Sequence, residues 1–478
     1  MAAGYDVVVV GAGIGGLTVS ALLAARGMSV CVLERQSQIG GCIARVEFSG
    51  HEFEPGMGIY TSFGAGEVYE RIFEQLPVEM PATALVSRPY VVRMGDGTDV
   101  RLTPGKEFFE ELRRAFPECA NQDIEFYRGT GAANTVAEAL GATSSRFQAF
   151  IDTQLRGFLH TSSDQCSSAA AVAVLARVRG PLYEIHGGPA ALAERLAESI
   201  KRSGGTLRLN TPVLRLAYDA SGAAIGVDLL NGEQVLAKCA IVSNLTIWDT
   251  YGKLVGLNRT PPEIKKVLNT LHGSGAFVVY ATIETSAVER LPGNRMLVAM
   301  KPGDDDAFTE CTVAVQGGTA TLKSATDVND WFTYHANEED FEDSDQVVLE
   351  RFWTKLHAAL PELGGDIEII ETANPRTYYD LTRRKLGMIL GVLPSGDASA
   401  LGSSPGRASA LGSLPNRAPG LGRQSAKVQE PSSSGSVSPL RAVVPNLFVI
   451  GDTIAPAPDL ASVTETALAL ANHLRKNL

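Results

Sequence analysis

Residues 7–10 are four consecutive valines, an apolar β-branched run with no polar alternation. That is the pattern of a strand covered on both faces, as in a parallel sheet. The period then becomes helical, with Leu17, Ala21, Leu22 and Ala25 recurring on one face until Gly27 ends the run. A second apolar stretch at 30–33 stops at Glu34. The pattern predicts strand, helix, strand: a βαβ unit.

Further along, 90–94 and 99–102 flank Gly95-Asp96-Gly97 and predict a hairpin. A helix is expected from Pro104, with Phe108, Phe109, Leu112 and Ala115 on one face, and 121–177 is helical and alanine-rich. Residues 189–202 predict a helix through Leu192, Leu196 and Ile200, ended by Gly204-Gly205 and followed by strands at 206–209 and 213–218. The strand at 240–244 closes this part. Strands at 276–284, 296–300 and 311–316 predict a second sheet, with an amphipathic helix at 345–360. The acidic patch 338–345 reads as a solvated loop, because its carboxylates lack a metal-ligand spacing. A buried strand ending in Gly451-Asp452 and a helix from about Asp459 close the chain.

One segment differs in kind. ASALGSSPGR at 398–407 is repeated as ASALGSLPNR at 408–417 and partly as APGLGR at 418–423. Such a Gly, Ser, Pro and Arg composition buries too little to offset chain entropy, so 395–440 is expected to be a disordered insertion. The alternative is a cationic loop on anionic lipid carrying Arg407, Arg417, Arg423, Lys427 and Arg441, for which the segment supplies no apolar anchor.

Chemistry enters at the first turn. Gly11, Gly13 and Gly16 form G-x-G-x-x-G between strand and helix: the first permits the tight turn, the second lets backbone approach a pyrophosphate, and the third lets helix pack on strand. Gly15 removes one more side chain beside Ile14. The helix N-terminus then presents free N–H groups to phosphates. Glu34, about twenty residues on, can accept hydrogen bonds from ribose hydroxyls. Strand, glycines, helix, strand and acid in register predict a bound dinucleotide.

Glu34-Arg35 followed by Gly40-Gly41, then Phe53-Glu54-Pro55-Gly56-Met57-Gly58, resembles the FAD-binding start of the phytoene desaturase, carotenoid isomerase and retinol saturase superfamily, which shares its architecture with amine oxidases. The resemblance puts the adenosine ribose on Glu34, adenine near Arg35, the diphosphate near Gly41 and the flavin near Gly56 to Gly58. Cys42 stands where many members have arginine, so Arg45 or backbone amides are expected to take that phosphate contact. The segment from Gly187-Gly188 to Val213 looks like the second FAD-contacting segment, with the Val213 backbone at the adenine. Gly451-Asp452 resembles the C-terminal FAD motif, in which the aspartate holds the ribityl chain and the next helix, through Ala461, Ser462 and Val463, faces the flavin. A helix dipole there would stabilise an anionic reduced flavin. Ala455-Pro456-Ala457-Pro458 departs from the glycine-rich form of desaturases. Asn374-Pro375-Arg376-Thr377-Tyr378 and 387–391 resemble the stretch beside flavin and substrate.

The implied fold class is α/β: a discontinuous Rossmann-like FAD-binding domain (1–77, 181–250, 441–478), a helical substrate and cap region (78–180) and an α+β substrate domain (251–394), with the insertion at 395–440. A chain of 478 residues is too long for one simple core. Its net charge of −11 and lack of a basic stripe argue against nucleic acid. Six scattered cysteines without C-x-x-C argue against zinc, a redox dithiol or a disulfide framework and fit a reducing cytoplasm. No cleavable signal precedes the first strand and no apolar run is long enough to span a bilayer, so membrane contact is expected to be peripheral at most.

The expected function is an FAD-dependent oxidoreductase or FAD-requiring isomerase acting on carbon–carbon double bonds of a long apolar isoprenoid or polyene, with oxygen or a quinone as electron acceptor. An amine oxidase and a prenyl-binding escort protein of the same architecture are the alternatives. The flavin carries the chemistry, so few side chains are needed and none is assigned catalysis. His186, beside a glycine pair, reads as a turn histidine; Cys42 as a small buried hydrophobe; Asp459 and Glu465 as cap and dipole partners. G-x-S-x-G and H-E-x-x-H are absent, which removes the common hydrolase readings.

Overall fold

The computed structural model describes residues 3–119, 125–129, 134–270, 273–301, 308–332, 338–391, 444–455 and 459–477. The insertion at 395–440 and residues 456–458 lie outside the described residues.

The valine run becomes the centre of a sheet. Ala3–Val10 pairs in parallel with Val30–Leu33 on one side and Gln234–Ser243 on the other. The sheet order is Val213–Tyr218, Ala224–Leu229, Gln234–Ser243, Ala3–Val10, Val30–Leu33 and Thr206–Arg208, and Leu447–Val449 joins the far end of Gln234–Ser243. Val7, Val8 and Val9 are fully buried because both faces are covered. Val7 and Val9 pack with the helices Ile14–Ala25, Ala190–Arg202 and Leu460–Asn477, and Val8 and Val10 face Ile247, Trp248 and Tyr251. Sequence-distant segments build this one sheet, with the first strand inside it between Val30–Leu33 and Gln234–Ser243.

The second sheet runs Ile367–Ala373, Gly273–Ile283, Thr319–Asp327, Glu310–Gln316, Arg295–Ala299, Tyr90–Arg93 and Asp99–Leu102, with Leu390–Gly391 beside Gly273–Ile283. The predicted hairpin is present and joins this sheet through a parallel pairing of Tyr90–Arg93 with Arg295–Ala299. Alternation decides what each face meets. Leu297 packs with the helices Lys106–Ala115, Ser145–Leu159 and Ser168–Val178, whereas Met296 and Val298 face Phe352 and Leu356 on the other side. Gly157 lets the cap helix approach, since a Cβ there would lie 2.4 Å from Leu297 Cδ1.

The acidic patch corrects the sequence reading. Residues 338–345 are the opening turns of the helix Glu338–Ala359 and not a loop. Carboxylates in the first turns are favoured by the unpaired N–H groups and the helix dipole, so a run of acid is compatible with a helix start. Asp345 anchors this region by accepting from Asn374 Nδ2 at 3.1 Å and pairing with Arg376.

Phe352, fully buried, meets Phe277 and Phe308 edge-on at 5.4 and 5.3 Å between ring centroids. Phe352→Ala is expected to destabilise the protein by about 3–5 kcal/mol, read by urea unfolding. A loss below about 1 kcal/mol would mean that the cluster refills the space.

Candidate functional site: a dinucleotide cleft between the two sheets

At the C-terminal edge of the first sheet lies a cleft of about 410 Å³. Such an edge is where open α/β sheets bind ligands. Its floor is the glycine turn. Gly11 has φ of +99°, and a Cβ on Gly16 would stand 2.1 Å from the Gly11 carbonyl oxygen. Cβ atoms on Gly13 and Gly15 would each stand 2.7 Å from the amide of Asn244, which lies just past the strand Gln234–Ser243. The helix Ile14–Ala25 begins here with no side-chain cap and no acid in its first turn, leaving its N–H groups to the cleft.

Gly40 donates to the Ala12 carbonyl at 2.9 Å and bridges Gly13, which brings Gly41 and Cys42 alongside the turn. Glu34 sits at the edge. The Ala12 N–H donates to its Oε2 at 2.7 Å and the Gln36 N–H to its Oε1 at 2.8 Å, so the carboxylate is held in place with lone pairs to spare.

Of the residues singled out from sequence, Gly11, Gly13, Ile14, Gly15, Glu34, Arg35, Gly40, Gly41, Cys42, Gly56, Met57, Val213, Gly451, Asp452 and Val463 line this cleft. Gly16 lies beneath it as a packing glycine. Arg45 is not a lining residue. Its guanidinium pairs with Glu52 at 2.9 Å and Glu194 at 3.5 Å, so two nearby carboxylates hold the charge elsewhere. Gly58 also lies off the cleft, its carbonyl accepting from the buried Arg295 at 2.7 Å. Ala461 and Ser462 do not line the cleft; Ser462 donates its N–H to Asp459 Oδ1 at 2.9 Å, which caps the C-terminal helix. Arg177 from the cap helix binds Asp459 at 2.7 Å and Glu465 at 3.2 Å. His186 is exposed and absent from the cleft wall.

Sequence reasoning missed residues that the second sheet supplies. On Thr319–Asp327, Thr319 and Thr321 donate to the carbonyls of Glu52 and Glu54, fixing the strand face that looks toward the cleft. Lys323 is next on that face. It is 8% exposed and lines the cleft, and among the described residues its ammonium has no hydrogen-bond or ion-pair partner. Burial pulls it down to about 8, opposed by Cys42 and Glu310. Glu310 is pushed up to about 7 by burial, although Thr309 Oγ1 donates to it at 2.5 Å. Burial also holds His160 well below the usual imidazole range, with Lys323 adding to it; its Nδ1 is 2.8 Å from Ser274 Oγ.

Cys42 is exposed and lines the cleft, yet lies deep among protein atoms, so desolvation pushes its thiol up. Its Sγ is 3.6 Å from Arg384 Nη1. Arg384 also binds Asp452 at 2.6 Å and the Ile389 carbonyl at 2.9 Å, while its Nε is buried without a partner. Beside them Phe48 and Phe53 pack at a tilt against Tyr280, with ring centroids at 5.1 and 5.3 Å, and the Tyr378 hydroxyl donates to Tyr280. Ile389 belongs both to this apolar wall and to the cleft.

The donor set fits a phosphorylated, ribose-bearing cofactor. Glycines stand where side chains would collide, a helix N-terminus is uncapped, the carboxylates of Glu34 and Asp452 are among those that line the cleft, and a buried guanidinium nitrogen lacks an acceptor. Fold and site together define an α/β architecture with a cleft suited to a dinucleotide at the C-terminal edge of its Rossmann-like sheet.

Residues 9–76 match the model of the NAD(P)-binding Rossmann-like domain. The chain is similar to the chloroplastic prolycopene isomerase of Daucus carota, 23% identical over 464 residues that cover 84% of this chain and 74% of that protein. It is also similar to the human all-trans-retinol 13,14-reductase, 26% identical over 354 residues covering 63% of this chain and 58% of the relative. The chain thus spans about three quarters of the first and little more than half of the second. Among solved structures, a cofactor-binding variant of putrescine oxidase aligns with a TM-score of 0.66 at 14% identity over 100% of both chains. An oxidoreductase from Methanosarcina mazei aligns at 0.63 and 15%, covering 98% of this chain and 99% of the other. The chain shares the fold of these solved structures.

Proposed function

We propose that the protein is an FAD-dependent oxidoreductase or FAD-requiring isomerase acting on carbon–carbon double bonds of a long apolar isoprenoid or polyene. The observation that carries this reading is the convergence of the glycine turn, Glu34, Val213 and Gly451-Asp452 on one cleft that also takes in Lys323 from the second sheet. Relatives named as a prolycopene isomerase and a retinol reductase support the substrate class.

Bound FAD would supply hydride or electron transfer at the flavin. The chain's own residues do the rest. The amides of the turn 11–16 bind the diphosphate, Glu34 and Asp452 accept from hydroxyls, and Val213 meets the adenine. Phe48, Phe53, Tyr280 and Tyr378 form an apolar wall that excludes water from the substrate side. Lys323 holds or moves a proton at Nζ, with Cys42 and Glu310 close enough to influence its charge. Oxygen or a quinone is the proposed electron acceptor. Among the described residues no helix is long and apolar enough to cross a membrane, and an extended apolar substrate would be drawn from a membrane surface by peripheral contact.

Amine oxidation is the second reading, favoured by the solved structures of similar fold and by the tyrosine pair Tyr280 and Tyr378. Purified protein is expected to show a flavin absorption band that bleaches on anaerobic reduction, and an organic extract to contain a co-purified polyene. Hydrogen peroxide release from simple amines, with no turnover of polyenes, would move the assignment to amine oxidation. A colourless protein that cannot be reconstituted with FAD would remove the enzyme reading in favour of a lipid-binding escort.

A further inference from the structure

Arg384 lines the cleft and has no part in the function proposed above. It comes from the second domain's connection, where Arg383, Leu386 and Gly387 have φ of +53°, +51° and +63°. Gly387 is required there, since a Cβ would lie 1.8 Å from the Pro375 carbonyl oxygen. The bend delivers the guanidinium to a defined place. Asp452 and the Ile389 carbonyl hold Nη2, whereas Nη1 has only the Cys42 sulfur at 3.6 Å and Nε has no partner although it is buried. A buried N–H without an acceptor costs free energy unless a ligand completes it.

The location specifies what that ligand group is. Gly41 packs on Gly13, where an added Cβ would be 3.4 Å from the Gly13 Cα, so Cys42 and Arg384 stand beside the uncapped helix N-terminus. A helix N-terminus and a guanidinium with spare donors both favour an anion with several oxygens. Arg45, the basic side chain that the sequence offered for the phosphate, is committed to Glu52 and Glu194.

We infer that Arg384 donates to the diphosphate of the bound dinucleotide, occupying the space that the small Cys42 side chain leaves open. Asp452 orients the guanidinium as well as facing the cofactor. The segment that carries Arg384 then contributes a charge to cofactor binding. The inference rests on the FAD reading above.

The test is titration of apoprotein with FAD and with ADP, which carries the diphosphate without the flavin. Arg384→Gln is expected to weaken both ligands by the same factor, about tenfold to a hundredfold, with an unchanged circular dichroism spectrum of the apoprotein. The double variant Cys42→Arg, Arg384→Gln is expected to recover most of the lost affinity, because an arginine at 42 reaches the same volume from the other side. Should Arg384→Gln fail to fold, Arg384→Lys keeps the charge without the fork and is expected to weaken both ligands by a smaller common factor. Unchanged ADP affinity in the single variants, whether or not FAD is weakened, overturns the inference and leaves Arg384 as an interdomain ion pair or a flavin contact. Wild-type protein that binds neither ligand overturns the cofactor reading itself.

Discussion

Gly16→Ala is expected to yield colourless protein that does not take up FAD and is less stable by about 3 kcal/mol or more. The added methyl would stand 2.1 Å from the Gly11 carbonyl oxygen and 3.3 Å from Asn244 Cβ. Neither can yield cheaply. The carbonyl is backbone at the tightest point of the turn, and Asn244 is pinned by its own N–H donating to the Val10 carbonyl at 2.9 Å. Relief therefore requires the helix Ile14–Ala25 to lift from the strand Ala3–Val10, which moves the N–H groups facing the phosphates. Gly27→Ala is the control. Gly27 has φ of +87° with open space about it, so its replacement costs roughly 1–2 kcal/mol of backbone strain and leaves the cleft intact. Flavin content and urea unfolding of both variants check the pair. Equal flavin content in the two would show that the turn tolerates the methyl.

Lys323→Met is expected to lower turnover by about 10²–10⁴-fold while making the protein more stable at pH 7. The two effects have one cause. Burial brings the ammonium to about 8 from 10.5, so between those values the unfolded chain binds more protons than the folded one. Wild-type stability consequently rises as pH increases from about 8 to 10.5, and below 8 the fold carries the whole cost of the charge, on the order of 3 kcal/mol. Methionine removes both the cost and the slope, which unfolding at pH 7 and pH 10 measures. In turnover, the sign of the limb near pH 8 reports the reaction. A step that delivers a proton to substrate weakens as pH rises through about 8, and a step that removes one strengthens. A variant with wild-type turnover and pH profile would mean that Lys323 is only a strained structural residue.

Much of the architecture was readable from periodicity. The valine run, the helical spacing after it and Val30–Leu33 are local patterns, and local patterns are what burial on two faces imposes. The hairpin at 90–102 was legible for the same reason, and so was the second half of Gln234–Ser243, expected at 240–244, while its first half was not foreseen. The acidic stretch 338–345 misled because charge argues for exposure, and exposure is shared by loops and by helix starts.

The site divides along a similar line. Gly11, Gly13, Glu34 and Gly41 are within a few dozen residues of one another, and the turn that joins them is a property of the local chain. Lys323, Arg384 and Asn244 had no such signal. Each is an ordinary polar residue in its own neighbourhood and becomes chemical only where a strand face, a left-handed bend or a strand end aims it into the cleft. Arg45 shows the converse, since its sequence position suited an anion and its carboxylate neighbours captured it.

By itself, then, the sequence determined that a dinucleotide-type turn exists and which acid faces it, because strand, glycine turn and helix are short-range consequences of side-chain size and period. Only the tertiary structure decided which cations share the cleft, which carboxylates are buried and where the apolar wall stands. Those properties depend on two sheets meeting, and on the desolvation that their meeting imposes on Lys323, Glu310 and Arg384.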